Sequence, residues 1–190
     1  PDRLIGLTLA GVRSTDKAPA DLLVRHMVEQ IRTIKLTTRQ WTDAVRTLSV
    51  AFARHGRPTD SLADRIRPSL EAKYPAKSPS LNRELTKMLV YLKSPVVVQR
   101  GVPKMAAAVT QETLLGYAMA LRTAEAGWTL DSRRTYFQTL NHAETKAAVG
   151  DYVGGGHLQI YIQRMRQDAR ESLGQSELKR LADILDAVLP

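Results

Sequence analysis

The chain has no cysteine, and its aromatic side chains number only 2 Trp, 6 Tyr and 2 Phe in 190 residues. Without thiols there can be no disulfide, thiolate zinc site, thiol nucleophile or covalent haem attachment within the segment, and the redox compartment stays open. With few aromatics, the core must rest on Leu, Ile, Val, Met and Ala, a mixture that favours helices because Ala, Leu and Met lose little freedom there. Histidine is scarce as well. His26, His55, His142 and His157 never pair at i, i+3 or i+4, so no helix face offers two metal ligands. Glu84, Glu112, Glu125, Asp131, Glu144 and Asp151 are scattered singly, with no spacing suited to general acid–base work. The apolar runs are all far shorter than the roughly 20 residues of a membrane span. These absences set the first expectation: no catalytic residue, cofactor ligand or metal ligand, and no membrane span.

What is present is a succession of amphipathic segments divided by short Pro, Gly or Asn punctuation. A first helix is expected over Asp2 to Val12, and a second from Pro19, with Leu23, Met27, Ile31 and Ile34 as its stripe. Thr37-Thr38 cap a third with Trp41, Val45, Leu48 and Phe52, closed by His55-Gly56. Thr59 or Asp60 starts a fourth, which Pro68 is expected to kink or split. Leu85, Met88, Leu89 and Leu92 form the cleanest stripe, and Ser94-Pro95 restarts the chain. Val96 to Ala108 is interrupted by Gly101 and Pro103. Thr110 and Thr129 cap two further helices, the first with Leu114, Tyr117 and Leu121 inward, the second carrying Tyr136, Phe137 and Leu140. After the loop Gly150 to Gly156, one helix with Ile162, Met165 and Ala169 and another with Leu178, Leu181, Leu185 and Val188 end the chain. About ten helices with connections of two to six residues predict an all-α fold. The reading is one domain over residues 1–190, a HEAT- or armadillo-like stack of antiparallel helix pairs, with a compact multi-helix bundle as the alternative.

The formal charge is +9, from 28 Lys and Arg against 19 Asp and Glu. An excess of this kind attracts phosphate polymers, anionic lipid or acidic proteins. Its densest neighbourhood is Arg164, Arg166 and Arg170 with Arg133-Arg134, and Arg164 stands four residues before Asp168, where an intrahelical pair is expected. Gly154-Gly155-Gly156-His157 leads into a helix, where converging backbone N–H groups would suit an anion, although no P-loop Lys and Ser/Thr follow. These nine residues are the candidate anion or partner contacts. Trp41 and Trp128 each fall at the start of a helix, where packing into an inter-helix groove competes with stacking on a base.

Three stretches together resemble a known family: Leu81-Asn82-Arg83-Glu84-Leu85 through Leu92; Tyr117-Ala118-Met119-Ala120-Leu121-Arg122 through Gly127-Trp128-Thr129 and Arg134-Thr135-Tyr136-Phe137; and Gly154-Gly155-Gly156 through Arg164-Met165-Arg166-Gln167-Asp168-Ala169. The succession resembles the HEAT-like helical region of large planctomycete and verrucomicrobial proteins, which lies between a dehydrogenase-like propeller and a C-terminal c-type haem-binding module. The resemblance implies a piece of a longer, periplasmic or exported, redox-associated protein, in which this segment is a non-catalytic scaffold for a protein partner or the neighbouring domains of its own chain. It supplies no cofactor to the segment, since the two cysteines and histidine of the haem motif are absent here. Two other functions stay open on the residues alone: a helical repeat binding nucleic acid through its basic surface, and a HEAT-like DNA glycosylase.

Overall fold

A computed structural model describes residues 17–187 together with Gly6 and Ala10. Apart from those two residues, the expected helix over Asp2 to Val12 lies outside the described part. The fold is all-α, with ten helices and no strand among the described residues. The contacts group into two compact units, divided in the chain between Leu92 and Lys93.

The first unit holds α1 (Lys17–Thr33), α2 (Thr38–His55), α3 (Asp60–Lys73) and α4 (Pro79–Tyr91). Their starts follow local chemistry. Thr37 accepts from the Gln40 amide while the Gln40 side chain accepts from the Thr37 amide, a reciprocal cap, and Thr59 and Ser78 accept from Leu62 and Leu81. Gly56 ends α2 with φ of 90°, a conformation that a side chain would strain. Helix α1 packs on α2 and α3, and α4 packs on the same two. Across α1 and α3 Glu29 pairs with Arg65; across α2 and α4 Arg46 Nε donates to Glu84 Oε1 at 3.1 Å, and the Phe52 and Tyr91 rings stack 6.0 Å apart. The partners are 36, 38 and 39 residues apart, rising together along the chain. So α2 runs parallel to α4, and the cleft between α1 and α3, with Leu22 to Glu29 facing Ser61 to Arg65, fits the same direction for that pair, the arrangement of two stacked helix pairs. Met27, Val28, Val45, Leu48, Ile66, Leu70, Leu85 and Leu89 fill the space between them.

The second unit holds α5 (Pro95–Ala106), α6 (Gln111–Leu121), α7 (Leu130–Ala148), α8 (Gly155–Glu171), α9 (Gln175–Arg180) and α10 (Ala182–Leu185). Ser94, Thr110 and Thr129 cap α5, α6 and α7. Helix α5 packs on α6 and α7, α7 on α8, and α10 on α7. Side chains again tie the parallel members: Arg122 Nε donates to Asp168 at 2.8 Å and Tyr161 Oη to Met119 Sδ at 3.0 Å, joining α6 to α8. Tyr136 is buried with its hydroxyl donating to Ala118 O at 2.8 Å, and burial pushes its phenol above the ordinary value. Gly127, at φ of 86°, passes so close to Pro95 that an added Cβ would lie 2.7 Å from Pro95 Cα, so no larger residue fits there.

Two local expectations need adjusting. Pro68 does not split α3, which continues through it from Asp60 to Lys73. The proline is exposed, so water can take up the carbonyl it leaves unbonded one turn earlier. The final segment is two short helices meeting at Leu181, where one was expected. The interrupted stretch Val96 to Ala108 is helical as α5, with Gly101 buried and Val97, Val98, Val102 and Met105 in the core. Tertiary burial outweighs the poor propensity of Gly and Pro here. No helix among the described residues is long and apolar enough to cross a membrane.

Leu89 is fully buried in the first unit. Leu89→Asp should lower the unfolding free energy by about 3–5 kcal/mol in urea titrations, because it places an unpaired carboxylate among aliphatic side chains. A loss under about 1 kcal/mol would mean that the assigned helix face is wrong.

Candidate functional site

The glycine loop is more constrained than its composition suggests. Helix α7 closes with the Asp151 amide donating to Lys146 O at 2.9 Å, at a turn where Gly150 has φ of 82°. Lys146 Nζ then bonds Asp151 Oδ2 at 2.7 Å, and this bond lifts the Lys146 pKa. The Gln111 side-chain amide clamps the Val153 backbone from both sides, accepting from its N–H at 2.9 Å and donating to its carbonyl at 2.8 Å. Gly154 precedes α8 at φ of 132°, and an added Cβ would press on Leu158 at 2.9 Å. The glycines thus serve a tight entry into α8. Gly156 and His157 are exposed in its first turn.

The arginine neighbourhood lies elsewhere. Arg166 is 12 residues along α8 from Gly154, about 18 Å at the helical rise, so glycine loop and arginines do not converge. Four of the five arginines are turned to one task. Arg133 is buried, stacks its guanidinium 4.1 Å from the Trp128 ring centroid and donates to Ser172 Oγ at 3.0 Å. Burial draws its pKa down, and Glu177, 3.6 Å from Nε, acts the other way; that spacing is an ion pair but too long for a hydrogen bond. Arg134 binds both carboxylate oxygens of Asp183, at 2.7 and 3.2 Å, and the Arg180 carbonyl at 3.0 Å. Arg166 donates to Leu185 O at 2.6 Å and Ile184 O at 3.3 Å, and sits 3.5 Å from the buried Glu144, whose other oxygen accepts from Gln163 at 2.7 Å. Arg170 pairs with Asp186 at 3.2 Å. Together they clasp the segment from Ser172 to Asp186, and α9 and α10 with it, onto α7 and α8, while Leu181, Ile184 and Leu185 supply the apolar contact. Arg164 alone points out, exposed. Its expected pair with Asp168 does not form, because Arg122 from α6 takes that carboxylate.

A wide cleft of the second unit was not foreseen. About 610 Å³ and open, it lies between the start of α6, the later half of α7 and the loop, with Gln138, Thr139, His142, Lys146, Asp151 and Tyr152 on its wall. Some of its polar groups are engaged: Lys146 and Asp151 neutralise each other, and Thr139 donates its proton to Thr135 O at 2.7 Å. No activated nucleophile follows from this set. Apolar side chains stand out near it, with Val109 98% and Val153 88% exposed, and Ile160 and Tyr161 are exposed further along α8.

No protein-family model, curated protein or solved structure matches this chain. Its function therefore has to be read from the residues.

The two tryptophans are packing residues. Trp41 is buried under the Lys73 ammonium, 5.5 Å from its ring centroid. Trp128 donates to Ala124 O at 2.8 Å and meets Tyr136 edge-on. No group of three or more His, Cys, Asp or Glu able to hold a metal occurs among the described residues. The unbalanced charge sits in the other unit. Residues 1–92 carry 16 Lys and Arg against nine Asp and Glu, whereas residues 93–190 carry 12 against ten. Dividing the charge between the halves of the chain is the sequence signal that would have moved attention from Arg133 and Arg164 to the first unit.

The Arg134–Asp183 hydrogen bond holds the Asp183 carboxyl below the ordinary carboxylate range. A depressed acid stabilises the fold fully above that range and loses its contribution as pH falls through it. Amide exchange at Leu181 to Leu185, corrected for intrinsic rate, should therefore lose protection between neutral pH and about pH 3. Arg134→Gln should remove most of that pH dependence. Equal pH dependence in both proteins would contradict the clasp.

Proposed function

We propose that this chain is a non-catalytic helical-repeat scaffold whose exposed faces hold a protein partner or the neighbouring domains of its own polypeptide. One observation carries the reading: four of the five candidate arginines, both tryptophans and Glu144 hold helices together, while aliphatic side chains stand exposed around α6 and α8. The arginines clasp the last helices, the tryptophans fill inter-helix space, and Glu144 is buried against Gln163 and Arg166. Val109 and Val153 flank the Gln111 clamp, which fixes them relative to each other. Exposed apolar side chains held together in this way mark interaction surfaces more often than isolated ones do. The resemblance of the three stretches supports an exported, redox-associated setting for such a scaffold. Nothing in the packing of Trp41 or Trp128 favours the DNA-glycosylase alternative.

The charge distribution favours a second reading. The excess of seven positive charges in residues 1–92 suits a polyanion, and a nucleic-acid-binding helical repeat would use it.

Hydrogen exchange on the chain alone and within its complete reading frame tests the scaffold. Amides around Val109, Val153 and Ile160 should become protected in the longer protein, with those of Leu85 and Leu140 unchanged. A reading frame without further domains, or unchanged exchange at all three sites, would contradict the reading that neighbouring domains cover this face.

A further inference from the structure

Two open clefts adjoin along α1 and α3 in the first unit. The smaller, about 80 Å³, lies where α2 hands over to α3 and is lined by Arg25, Phe52, His55, Arg57 and Thr59 among others. The larger, about 230 Å³, runs between the two parallel helices with Arg25, His26, Glu29, Ser61 and Arg65 on its wall. Arg25 and Leu62 belong to both, so the two form one groove. Its charge is one-sided. Arg25, Arg57 and Arg65 line it with His26 and His55, against Glu29 as the only carboxylate among the described residues. Glu29 is already shared by Arg32 and Arg65. Among the described residues the smaller cleft has no carboxylate in its lining, and it has room for several waters, which suits a phosphate group but not a nucleoside.

We propose that this groove is a sequence-independent binding site for the backbone phosphates of single-stranded nucleic acid, with Arg25 and Arg57 as its principal cations. The inference rests on the second reading above. The start of α3 is not needed for it: Thr59 already caps that helix, and Asp60 in its first turn opposes an anion. A polymer fits better than a free phosphate, because the groove is open, extended and set in a unit whose surplus charge reaches well beyond it. Nucleic acid fits better than an acidic peptide, because each nucleotide carries a charge whereas runs of like charge are rare in folded partners. Recognition of bases is not part of the site. Tyr91, the aromatic nearest Arg57, already stacks on Phe52 and lies under the guanidinium at 5.8 Å.

The test is fluorescence anisotropy of the full chain with a labelled deoxythymidine oligomer of about 15 nucleotides across a salt series. Arg25→Gln and Arg57→Gln change exposed side chains, so melting temperatures should not move. Each should weaken binding about five- to tenfold at low salt and reduce the slope of log K against log salt by about 1. Arg164→Gln, exposed in the other unit, should change neither. Binding that survives both first-unit replacements would overturn the site and leave the polyanion reading standing. No binding at about 50 mM salt would overturn both. Competition by polyglutamate as strong as by unlabelled oligomer would assign the groove to acidic protein instead. Saturable inorganic phosphate binding, lost in the same variants without oligomer binding, would assign it to a small anion.

Discussion

The structure depends on aliphatic stripes meeting between neighbouring helices, both consecutive ones and members of successive pairs. A chain with no cysteine and few aromatics has no other large source of cohesion. Each fully buried Leu, Ile or Val contributes roughly 1.5–3 kcal/mol, whereas an exposed ion pair contributes about 0–1 kcal/mol. Leu48, Ile66, Leu70, Leu85 and Leu89 therefore set how strongly the first unit holds together, and Arg46–Glu84 and Glu29–Arg65 help set which turn meets which. Aliphatic faces are forgiving about register, since one turn of Leu resembles the next. Ion pairs and the Phe52–Tyr91 stack discriminate between turns, a role that needs little energy.

The second unit divides the labour differently. Its last two helices have six and four residues, too few to hold on propensity or burial alone. Arg133, Arg134, Arg166 and Arg170 reach out from α7 and α8 to the side chains and carbonyls of this segment, and Asn141 adds a bond to Ile184 O at 2.9 Å. Arg166 donates to the Ile184 and Leu185 carbonyls in the last turn of α10. Cationic residues that appear in sequence as a candidate binding patch are thereby turned inward. The surplus charge left for a partner lies in the first unit.

Much of the fold was legible because its signals are local. Thr37, Thr59, Ser94, Thr110 and Thr129 cap the helices that they precede in sequence, and the stripe of Leu85, Met88 and Leu89 is buried. Local rules failed where distant residues intervene. Gly101 and Pro103 read as interruptions, yet burial against α6 and α7 carries α5 through them. Asp168 looked paired to Arg164 on its own helix, but Arg122, 46 residues away, competes for it. The candidate contacts suffered most from this. Gly154 to His157 and Arg164, Arg166 and Arg170 stand close together in sequence but occupy different turns of α8, with Arg133 and Arg134 on α7, while the clefts are assembled from α1, α2 and α3 or from α6, α7 and a loop. No periodicity reports such assemblies. The charge of each half was legible all along.

Because the chain lacks native thiols, the parallel register of stacked pairs can be measured without background. In the first unit, Arg46→Cys with Glu84→Cys should be joined rapidly by a short bis-maleimide, since α2 and α4 run side by side in the same direction with these positions facing. Arg54→Cys with Glu84→Cys, displaced by more than two turns, should link slowly. Rapid linkage of the second combination and slow linkage of the first would contradict the stacked-pair fold.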